Sequence, residues 1–451
     1  MRKINNFKMG IKFSKEVFFW PVGIVLLFAS LVFMAGSLYH KYKEYEVSVI
    51  GPLDPGDGIG RQALDLVKLV QDDFNVNFID LRNNKSTKLR YFLKIPFSTI
   101  SEMMLSGNNL GKIVVLEGTL PYNKREEMGL MKKAFSKSKI KDKENKLFIA
   151  YSMFESTDIL KSWVRIINKH FDMVVVPAEF LIEIYEKAGV KVPIFVVPLG
   201  IKIDYELAQP IKKHRGKVFR FGNLGTLHDR KNQIVLVKAF EKLFKNRDDV
   251  ELILNARNAE KQTLKILEDY IFLNDITNVH LSVKPLTQKE YHELSKTIDC
   301  FVYPSKGEGF SVMPRESMAL GIPVIVSDNT GQSTIAASNL VRSVKSEILK
   351  PALYPALGDV TLGYNFDTKP EDLEDAMQDV YVNYDSYLKK SEQMRDWAAG
   401  YQYKNLKNLY KNMIRPKNLI LGSKNEISND YLMTNSTKLY NKYKAIWNMS
   451  E

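Results

Sequence analysis

Short runs of β-branched and apolar residues alternate with amphipathic stretches along most of the chain. The first series lies between residues 46 and 200, and the same alternation starts again at 217–225 and continues to 322–328. Strands that alternate with helices form parallel sheets covered by helices on both faces. A chain of 451 residues is long enough for two domains of roughly 100–200 residues each. The sequence therefore predicts an α/β protein with two parallel-sheet domains, at 45–205 and 206–414, that face a cleft.

The end of the second domain reads differently from the rest. The stretch at 393–414 is helical and polar in character and predicts one long closing helix. From 415 to 451 the sequence is rich in Lys and Asn, with Tyr and Trp scattered through it and no convincing apolar period. These last residues are expected to form a polar, weakly ordered or peripheral tail.

The N-terminus carries the one segment that departs from this pattern. Residues 17–39 contain no charged side chain over 23 positions. As a helix they would extend about 35 Å, enough to cross a hydrocarbon layer about 30 Å thick. A cleaved signal peptide is the alternative, but its apolar core is normally only roughly 7–15 residues long. The prediction is an uncleaved transmembrane anchor at 17–39, preceded by a basic tail at 1–16.

Lysine and arginine outnumber the acidic residues by 65 to 52, which gives a net charge of +13. Such an excess points to an anionic partner: a nucleic acid, a membrane surface or a phosphorylated substrate. A compositional bias toward Lys, Asn and Ile explains the charge equally well. The single cysteine, Cys300, excludes an intrachain disulfide and lies in a predicted buried strand, so we interpret it as a core residue.

Ligands of parallel α/β sheets bind at the carboxyl ends of the strands, so the loops that follow strands are the candidates for a site. The first such loop, at 51–60, is rich in glycine. Gly58 and Gly60 would let the backbone approach a ligand closely, and the following helix would offer free N–H groups to an anion. The loop lacks the third glycine of a dinucleotide-binding fingerprint, so a tight turn without a ligand is an equal alternative.

Charged residues mark two further strand-end loops in the second domain. Arg230 and Lys231, in the run GTLHDRKN at 225–232, would lie beside a helix N-terminus, where two cations and free amides can receive a diphosphate. Glu308 and Glu316 are separated by seven residues in EGFSVMPRE and would face one cleft from a loop and from the helix after it. Carboxylates accept hydrogen bonds from sugar hydroxyls, so this pair could hold a ribose and a hexose at once. Each motif alone also fits ordinary surface charges.

Taken together, these segments resemble the retaining GT-B glycosyltransferases, specifically glycosyltransferase family 4. The run at 308–316 resembles the E-x7-E segment of that family, and GTLHDRKN resembles its phosphate-binding strand, loop and helix. The stretch at 154–180 and the VPLG that follows it are also similar to a subset of these enzymes. The resemblance covers about residues 47–410. It implies the GT-B fold, two Rossmann-like domains facing a cleft, here preceded by the N-terminal transmembrane helix.

The resemblance implies that a nucleoside-diphosphate sugar, the donor, is bound mainly by the second domain and the acceptor by the first. Glu316 would hold the ribose hydroxyls and Glu308 would contact the transferred sugar. Arg230 and Lys231 would neutralise the diphosphate as it leaves. The remaining donor-site residues implied by the resemblance are Gly309 and Phe310, Gly58 and Gly60 across the cleft, and Thr226, which stands where the family commonly has an arginine.

The resemblance also implies chemistry without a metal or another cofactor. Breaking the anomeric C–O bond puts negative charge on the diphosphate, which Arg230, Lys231 and helix amides would stabilise. The sequence contains no Asp-x-Asp motif of the kind that holds a divalent ion in other glycosyltransferases. Retention of the anomeric configuration by front-face attack is expected by analogy. The family's usual histidine is absent from the loop YSMFEST, where Glu155 is the candidate acceptor-side residue.

The sequence therefore predicts a membrane-anchored hexosyltransferase that acts on a glycan or lipid-linked acceptor and has no nucleic acid as a partner. The alternatives are a catalytically inactive sugar-nucleotide or glycan binding protein, an epimerase or phosphorylase of the same fold, and a nucleic-acid binder, for which no reading motif is present. The basic residues before 17–39 favour a body on the far side from the cytosol, as in a type II Golgi enzyme. A bacterial enzyme would instead hold its catalytic domain on the cytosolic side of the inner membrane.

Overall fold

The computed structural model of the protein describes residues 44–52, 58–80, 110–118, 120, 145–212, 214–354, 357 and 360–449. The predicted basic tail at 1–16 and the predicted anchor at 17–39 lie outside these residues. Within the described ranges, none of the helices combines the length and the apolar character that crossing a bilayer requires.

The first domain is built around one six-stranded parallel sheet. Its strands are β1 (Val47–Gly51), β2 (Val76–Asp80), β3 (Ile113–Glu117), β4 (Leu147–Tyr151), β5 (Met173–Val176) and β6 (Ile194–Val196). They lie in the order β2-β1-β3-β4-β5-β6, and every neighbouring pair is parallel. The described helices of this domain are α1 (Gly58–Val70), α2 (Lys161–His170) and α3 (Phe180–Ala188).

Both faces of this sheet are covered, which explains why its strands read as continuous apolar runs rather than as an alternation. Val49 and Ile149 belong to one cluster of buried residues, which includes Leu66 of α1. Val114 belongs to the cluster on the other face, which includes Trp163 of α2. The loops at the carboxyl edge of the sheet therefore begin at strands that are packed on both faces.

The second domain repeats this plan. Its strands are β7 (Phe219–Leu224), β8 (Val250–Ala256), β9 (Val279–Val283), β10 (Cys300–Tyr303), β11 (Val324–Asp328) and β12 (Arg342–Lys345). They lie in the order β12-β11-β10-β7-β8-β9, with every neighbouring pair parallel. The described helices that accompany them are α4 (Asp204–Ala208), α5 (Gln233–Phe244), α6 (Lys261–Leu273), α7 (Gln288–Thr297), α8 (Val312–Ala319), α9 (Thr330–Ala336) and α10 (Pro370–Val382).

The structure confirms the prediction of two parallel-sheet α/β domains. Cys300 opens the central strand β10 and is buried, as expected of a core residue. The edge strand β12 has no counterpart among the predicted strands. The helix predicted around Glu316 is shorter than its sequence suggested: α8 begins at Val312, so Glu316 lies about one turn into it rather than two.

An antiparallel hairpin that the sequence did not reveal follows β12. Its strands are β13 (Ile348–Tyr354) and β14 (Val360–Asp367), and we call it the bridging hairpin. The sequence of β13 contains Lys350 and Pro351 in place of a regular apolar alternation. Proline is normally a sign against a strand because it cannot donate to the ladder, and this explains why the hairpin was missed.

The bridging hairpin leaves the second domain and docks on the first. The hydroxyl of Ser156 donates to the carbonyl oxygen of Leu362 at 2.8 Å. The backbone N–H of Tyr364 donates to Oγ1 of Thr157 at 2.8 Å, and the N–H of Thr157 donates back to the carbonyl of Tyr364 at 3.2 Å. Leu362 is buried in the apolar cluster of the first domain that surrounds α2. The hairpin therefore connects the two domains directly.

The single long helix predicted at 393–414 is wrong, because the chain turns between two helices. Gln402 is extended at the turn, forms a bridge to Ile201, and donates through its side chain to Asp204 Oδ1 at 2.7 Å. After this turn the chain crosses back to the first domain, where Lys411 Nζ bonds Asp73 Oδ1 at 2.7 Å. The three helices of this region are α11 (Tyr384–Leu388), α12 (Ser391–Ala399) and α13 (Tyr403–Ile414).

The expectation of a weakly ordered or peripheral tail after 415 is also wrong for the part that the structure describes. Residues 415–449, here the C-terminal extension, form β15 (Asn418–Leu421), β16 (Glu426–Ile427), β17 (Tyr431–Thr434) and α14 (Thr437–Trp447). Leu439, Tyr443, Ile446 and Trp447 form the buried face of α14. They are spaced as one helical stripe, but the stripe is half aromatic and lies among Lys and Asn, so it did not read as an apolar period.

Candidate active site

The loop after β10 carries a carboxylate that is surrounded by donors. Oε1 of Glu308 accepts hydrogen bonds from Lys231 Nζ at 2.6 Å, from Ser305 Oγ at 2.6 Å and from Arg230 Nη1 at 3.0 Å. The backbone of Glu308 is fixed as well, since its N–H donates to Thr330 Oγ1 at 2.8 Å. Glu308 is only 7% exposed, so this side chain is held in one place by its surroundings.

The charges around Glu308 decide its protonation state. Burial acts to raise its pKa, but the positive charges of Lys231 and Arg230 outweigh burial, and the pKa lies below its ordinary value. Burial lowers the pKa of Lys231, against the pull of Glu308. A buried ion pair persists when its geometry is good and its hydrogen bonds are satisfied, and both conditions are met here. At neutral pH the ionised carboxylate of Glu308 is therefore hydrogen-bonded to two cations, Arg230 and Lys231.

The two cations come from a short 3-10 helix, Asp229–Lys231, which connects β7 to α5. Asn232 follows in the left-handed conformation, with φ of +61°, and lets the chain turn sharply into α5. Lys231 Nζ also donates to the hydroxyl of Tyr303 at 2.8 Å. Arg230 and Lys231 thus lie directly before a helix N-terminus, as their sequence position indicated.

Glu155 reaches the same group from the first domain. It lies in the loop after β4, and its Oε1 is 3.1 Å from Nη2 of Arg230. A Cβ at Gly307 would collide with the carbonyl oxygen of Glu155, so the two loops can approach this closely only because residue 307 is glycine. Arg230 therefore bridges a carboxylate of each domain, Glu155 and Glu308.

Glu316 lies apart from this group, on α8. Its Oε2 accepts a hydrogen bond from the hydroxyl of Tyr291 at 2.7 Å. The charge of Glu316 also acts on the buried Glu206 and the half-buried His292, whose Oε1 and Nε2 lie 3.2 Å apart. Burial raises the pKa of Glu206 to about 7, and burial lowers the pKa of His292. Burial therefore disfavours the charged form of both partners.

The remaining predicted residues lie around these two groups or at the edge of the described chain. Gly309 faces the first domain, since a Cβ there would be 3.0 Å from Sδ of Met153. Phe310 is buried, and Thr226 is half-buried, with its carbonyl bonded by Gln233 Nε2 at 3.0 Å. Gly58 and Gly60 lie in the first turn of α1, and residues 53–57 before them lie outside the described chain.

The structure shows several site residues that sequence reasoning missed. Ser305 and Thr330 hold Glu308, and Tyr291 holds Glu316. Thr330 comes two positions after β11 ends, so the strand-end rule could have found it. Arg315 could not have been found this way. It is fully buried, and its guanidinium carbon lies 3.9 Å from the ring centre of Phe310. Its Nη1 donates to the carbonyl of Ser311 at 2.9 Å, which fixes the loop that contains these two residues.

The described residues contain no group of three or more His, Cys, Asp or Glu side chains that could hold a metal ion. Chemistry without a metal stays a prediction. What the arrangement offers chemically is an anion receptor of two cations, two carboxylates positioned to accept hydrogen bonds, and a contact that spans both domains.

Two parallel-sheet domains that face each other, with these groups between them, define the GT-B class of fold. Residues 204–345, about a third of the chain, match the family described as Glycosyl transferases group 1. The chain is 29% identical over 193 residues to an uncharacterised glycosyltransferase of Methanocaldococcus jannaschii, covering 41% of this chain and 44% of that protein. It is 29% identical over 127 residues to Bacillus subtilis EpsF, a glycosyltransferase by name, covering 27% of this chain and 30% of EpsF. The chain thus matches less than half the length of these relatives.

Solved structures share the fold over most of the chain. Anabaena HepE in complex with UDP-glucose has a TM-score of 0.58 at 11% identity, over 82% of this chain and 99% of HepE. A sucrose-phosphate synthase from Thermosynechococcus elongatus has a TM-score of 0.56 at 13% identity, over 83% of this chain and 98% of that one. At such identities the likeness concerns the fold, and it confirms the predicted pair of Rossmann-like domains.

Proposed function

We propose that the protein is a retaining, family 4 glycosyltransferase that moves a hexose from a nucleoside-diphosphate sugar to a glycan or lipid-linked acceptor without a metal. One observation carries the proposal: the buried carboxylate of Glu308 lies on two cations, Arg230 and Lys231, where the two domains meet. The match to group 1 glycosyl transferases supports the reaction class. The UDP-glucose bound to HepE supports the class of donor.

We assign the ribose of the donor to Glu316 and its transferred sugar to Glu308. The hydroxyl of Tyr291 donates a hydrogen bond to Oε2 of Glu316. We assign the other oxygen, Oε1, to the ribose hydroxyls. The three bonds to Glu308 all end on Oε1, so Oε2 is assigned to the hydroxyls of the transferred sugar. An ionised carboxylate accepts such bonds more strongly than a neutral one, and the lowered pKa keeps Glu308 ionised.

The cations supply the stabilisation that the reaction needs. When the anomeric C–O bond breaks, negative charge grows on the leaving diphosphate. Arg230 and Lys231 are charged, partly buried and already fixed by their neighbours, so they can meet that charge with little reorganisation. The diphosphate oxygen that leaves is then the base that accepts the proton of the attacking acceptor hydroxyl on the same face of the sugar. This gives retention.

Glu155 is assigned to the acceptor side. In the donor-free protein it neutralises Arg230 from the first domain. A diphosphate that binds Arg230 competes with Glu155 for the same guanidinium, and the released carboxylate can accept a hydrogen bond from an acceptor hydroxyl.

The proposal includes a membrane. The uncharged run at 17–39 supports a single-pass protein, with the catalytic domains either in the cytosol at a bacterial inner membrane or in the Golgi lumen. A lipid-linked acceptor would lie at that membrane.

The first test is binding and turnover of the full chain in neutral detergent with a panel of nucleoside-diphosphate sugars. A donor at 100 times its Kd should stabilise the fold by about 2.7 kcal/mol, which a thermal melt detects. Glu316→Gln should abolish that stabilisation. Lys231→Gln should bind donor but reduce release of nucleoside diphosphate by roughly 10²–10³-fold, because a cation that faces the leaving group is lost. Retention is read from the anomeric configuration of the product.

The control is Lys242→Gln, which removes an exposed lysine of α5 that pairs with Glu374 at 2.7 Å, away from the site. Wild-type turnover in both Glu316→Gln and Lys231→Gln would refute the site assignment. Donor binding without turnover in the wild type would identify the alternative, a catalytically inactive binding protein.

A further inference from the structure

The C-terminal extension contains a large cavity at a distance from the proposed active site. Its volume is ≈ 930 Å³. The side chains that give it its character are three cations and three aromatic rings: Arg415, Lys417, Lys444, Tyr431, Tyr440 and Trp447. Among the described residues that line it, none is acidic. A concave surface with one sign of charge attracts small anions.

The cations and rings of this cavity are arranged in pairs. The guanidinium carbon of Arg415 lies 4.9 Å from the ring centre of Trp447, and Nζ of Lys444 lies 5.2 Å from that of Tyr440. Trp447 is itself fixed, because its Nε1 donates to the carbonyl of Ile414 at 3.0 Å. Arg415 and Lys417 are exposed to solvent. Aromatic rings beside cations are typical of surfaces that meet the boundary between lipid and water.

The contacts of the C-terminal extension show which edge of the first sheet it covers. Lys442 of α14 bonds Asp172 at 2.7 Å and the carbonyl of Lys146 at 3.0 Å, and these residues come directly before β5 and β4. Phe74, which lies just before β2, packs at 6.1 Å from Trp447. The extension therefore covers the amino-terminal edge of the first sheet, opposite the edge that carries the proposed active site.

The same edge is where the chain enters the first domain. β1 begins at Val47, eight residues after the uncharged run at 17–39 ends. Eight residues span at most about 29 Å when fully extended. If the run is a membrane anchor, the start of β1 is held within that distance of the bilayer surface, and Trp447 of the cavity packs on Phe74, just before the neighbouring strand β2.

We propose that this cavity is a binding site for the headgroup of an anionic phospholipid. Arg415, Lys417 and Lys444 would meet the phosphate, and Tyr431, Tyr440 and Trp447 would lie at the level of the glycerol and the first acyl carbons. The inference rests on the membrane anchor included in the proposed function. It gives the basic extension a role that the donor site does not require.

The test uses the full chain in neutral detergent, titrated with dihexanoyl-phosphatidylglycerol and followed by thermal stability. We expect saturable stabilisation by this lipid and none by dihexanoyl-phosphatidylcholine. In the double variant Arg415→Gln and Lys417→Gln, the half-saturating lipid concentration should rise roughly 30-fold, from about 1 kcal/mol per cation near an anionic surface. Both side chains are exposed, so the variant should fold. A matched control, Lys261→Gln with Lys289→Gln, removes two exposed charges from α6 and α7 of the second domain.

Each outcome decides the proposal. Equal stabilisation by inorganic phosphate would show a free-anion site, and equal stabilisation by phosphatidylcholine would show a surface without charge selectivity. Either result overturns it, as does an unchanged titration in the double variant or an equal loss in the control. Stabilisation by a nucleotide sugar is measured in the same melts. A donor response that persists in the double variant separates failure of the lipid site from failure of the proposed function.

Discussion

The charged side chains of Glu308, Arg230 and Lys231 depend on one another for their stability. Each charge is removed from water, and only the neighbouring charges and hydrogen bonds offset the free-energy cost of that desolvation. Removal of one partner from a buried pair typically costs about 3–5 kcal/mol, because it leaves the other charge uncompensated. Substitutions in this group should therefore keep hydrogen-bonding capacity, and Lys231→Gln is preferable to Lys231→Ala for separating catalysis from folding.

Glu206, which pairs with His292, makes stability depend on pH. The pKa of Glu206 is raised by burial to about 7, above the ordinary glutamate value, so the folded state binds this proton more tightly than the unfolded chain. Its contribution to stability is therefore complete below about pH 4.5 and is lost as pH rises through about 7. The charges that face the pair are Glu316, Asp204, Glu293 and Lys296.

We expect wild-type protein to lose about 1–2 kcal/mol more unfolding free energy between pH 5 and pH 8 than Glu206→Gln does. Solvent screening keeps this loss below the full linkage value. Urea unfolding at several pH values measures it. Glu293→Gln is the control, since that neighbouring carboxylate is exposed and its pKa is lowered by its bonds to Lys296 and Tyr205. Parallel pH profiles for wild type and Glu206→Gln would contradict the expectation.

At the scale of residues, the sequence predicted which charged side chains come together in the candidate site better than it predicted their contacts. Arg230, Lys231 and Glu308 were found because strand-end loops of a parallel sheet share one edge. The bond between Arg230 and Glu155 was not found, because it depends on how two domains meet, and no local pattern contains that information.

Among the elements, the bridging hairpin is the one that most affects the site. Its second strand is tied to both carboxylate loops: the N–H of Phe366 donates to the carbonyl of Lys306 at 2.8 Å, and Leu362 and Tyr364 bond the loop that carries Glu155. The hairpin thus fixes the loop before Glu308 relative to the loop that carries Glu155.

Gly363 is the residue on which this docking depends. It has φ of +61°, and a Cβ there would collide with Oγ1 of Thr157 and lie 2.9 Å from the backbone nitrogen of Asp158. Gly363→Ala should destabilise the protein by about 1–3 kcal/mol, from the left-handed backbone and the clash together. Thermal melts of the variant measure this. Gly216→Ala is the matched control, because its Cβ would meet only the carbonyl of Val218 at 3.7 Å. Equal melting temperatures for the two variants would refute the docking role.

Elements were predictable where their own residues determine them. The strands of both sheets are buried on two faces and so appear as apolar runs whatever their neighbours are. The bridging hairpin and α14 were missed partly for the opposite reason. Each is stabilised by a surface of the first domain, against which Leu362 of the hairpin and Tyr443 and Trp447 of α14 are buried.

At the scale of the whole molecule, the cleft is held by contacts on more than one side. The bridging hairpin closes one side, and the chain crosses between the domains again through Gln402 and α13. Movement of two domains around a ligand often limits turnover through product release rather than through chemistry.

A reversible cross-link tests this directly. Thr157→Cys with Tyr364→Cys places two thiols on residues whose backbones are hydrogen-bonded across the domains. Oxidation should lower kcat severalfold and leave donor binding nearly unchanged, and reduction should restore kcat. The native Cys300 is buried and should not compete. Thr157→Cys alone is the control. An oxidised double variant with wild-type kcat would show that turnover does not require the domains to separate here.

The return of the chain to the first domain has a consequence for how the protein is made. One apolar cluster contains both Val47 and Trp447, so the first strand of that domain is translated long before the helix that helps to cover its sheet. At about 5–20 residues per second, the intervening second domain takes tens of seconds to emerge from the ribosome. During that time one face of the nascent first sheet, on which α1 already packs, lacks the rest of its cover. The second domain can complete its own core first, and the core of the first domain is completed only after α14 has emerged.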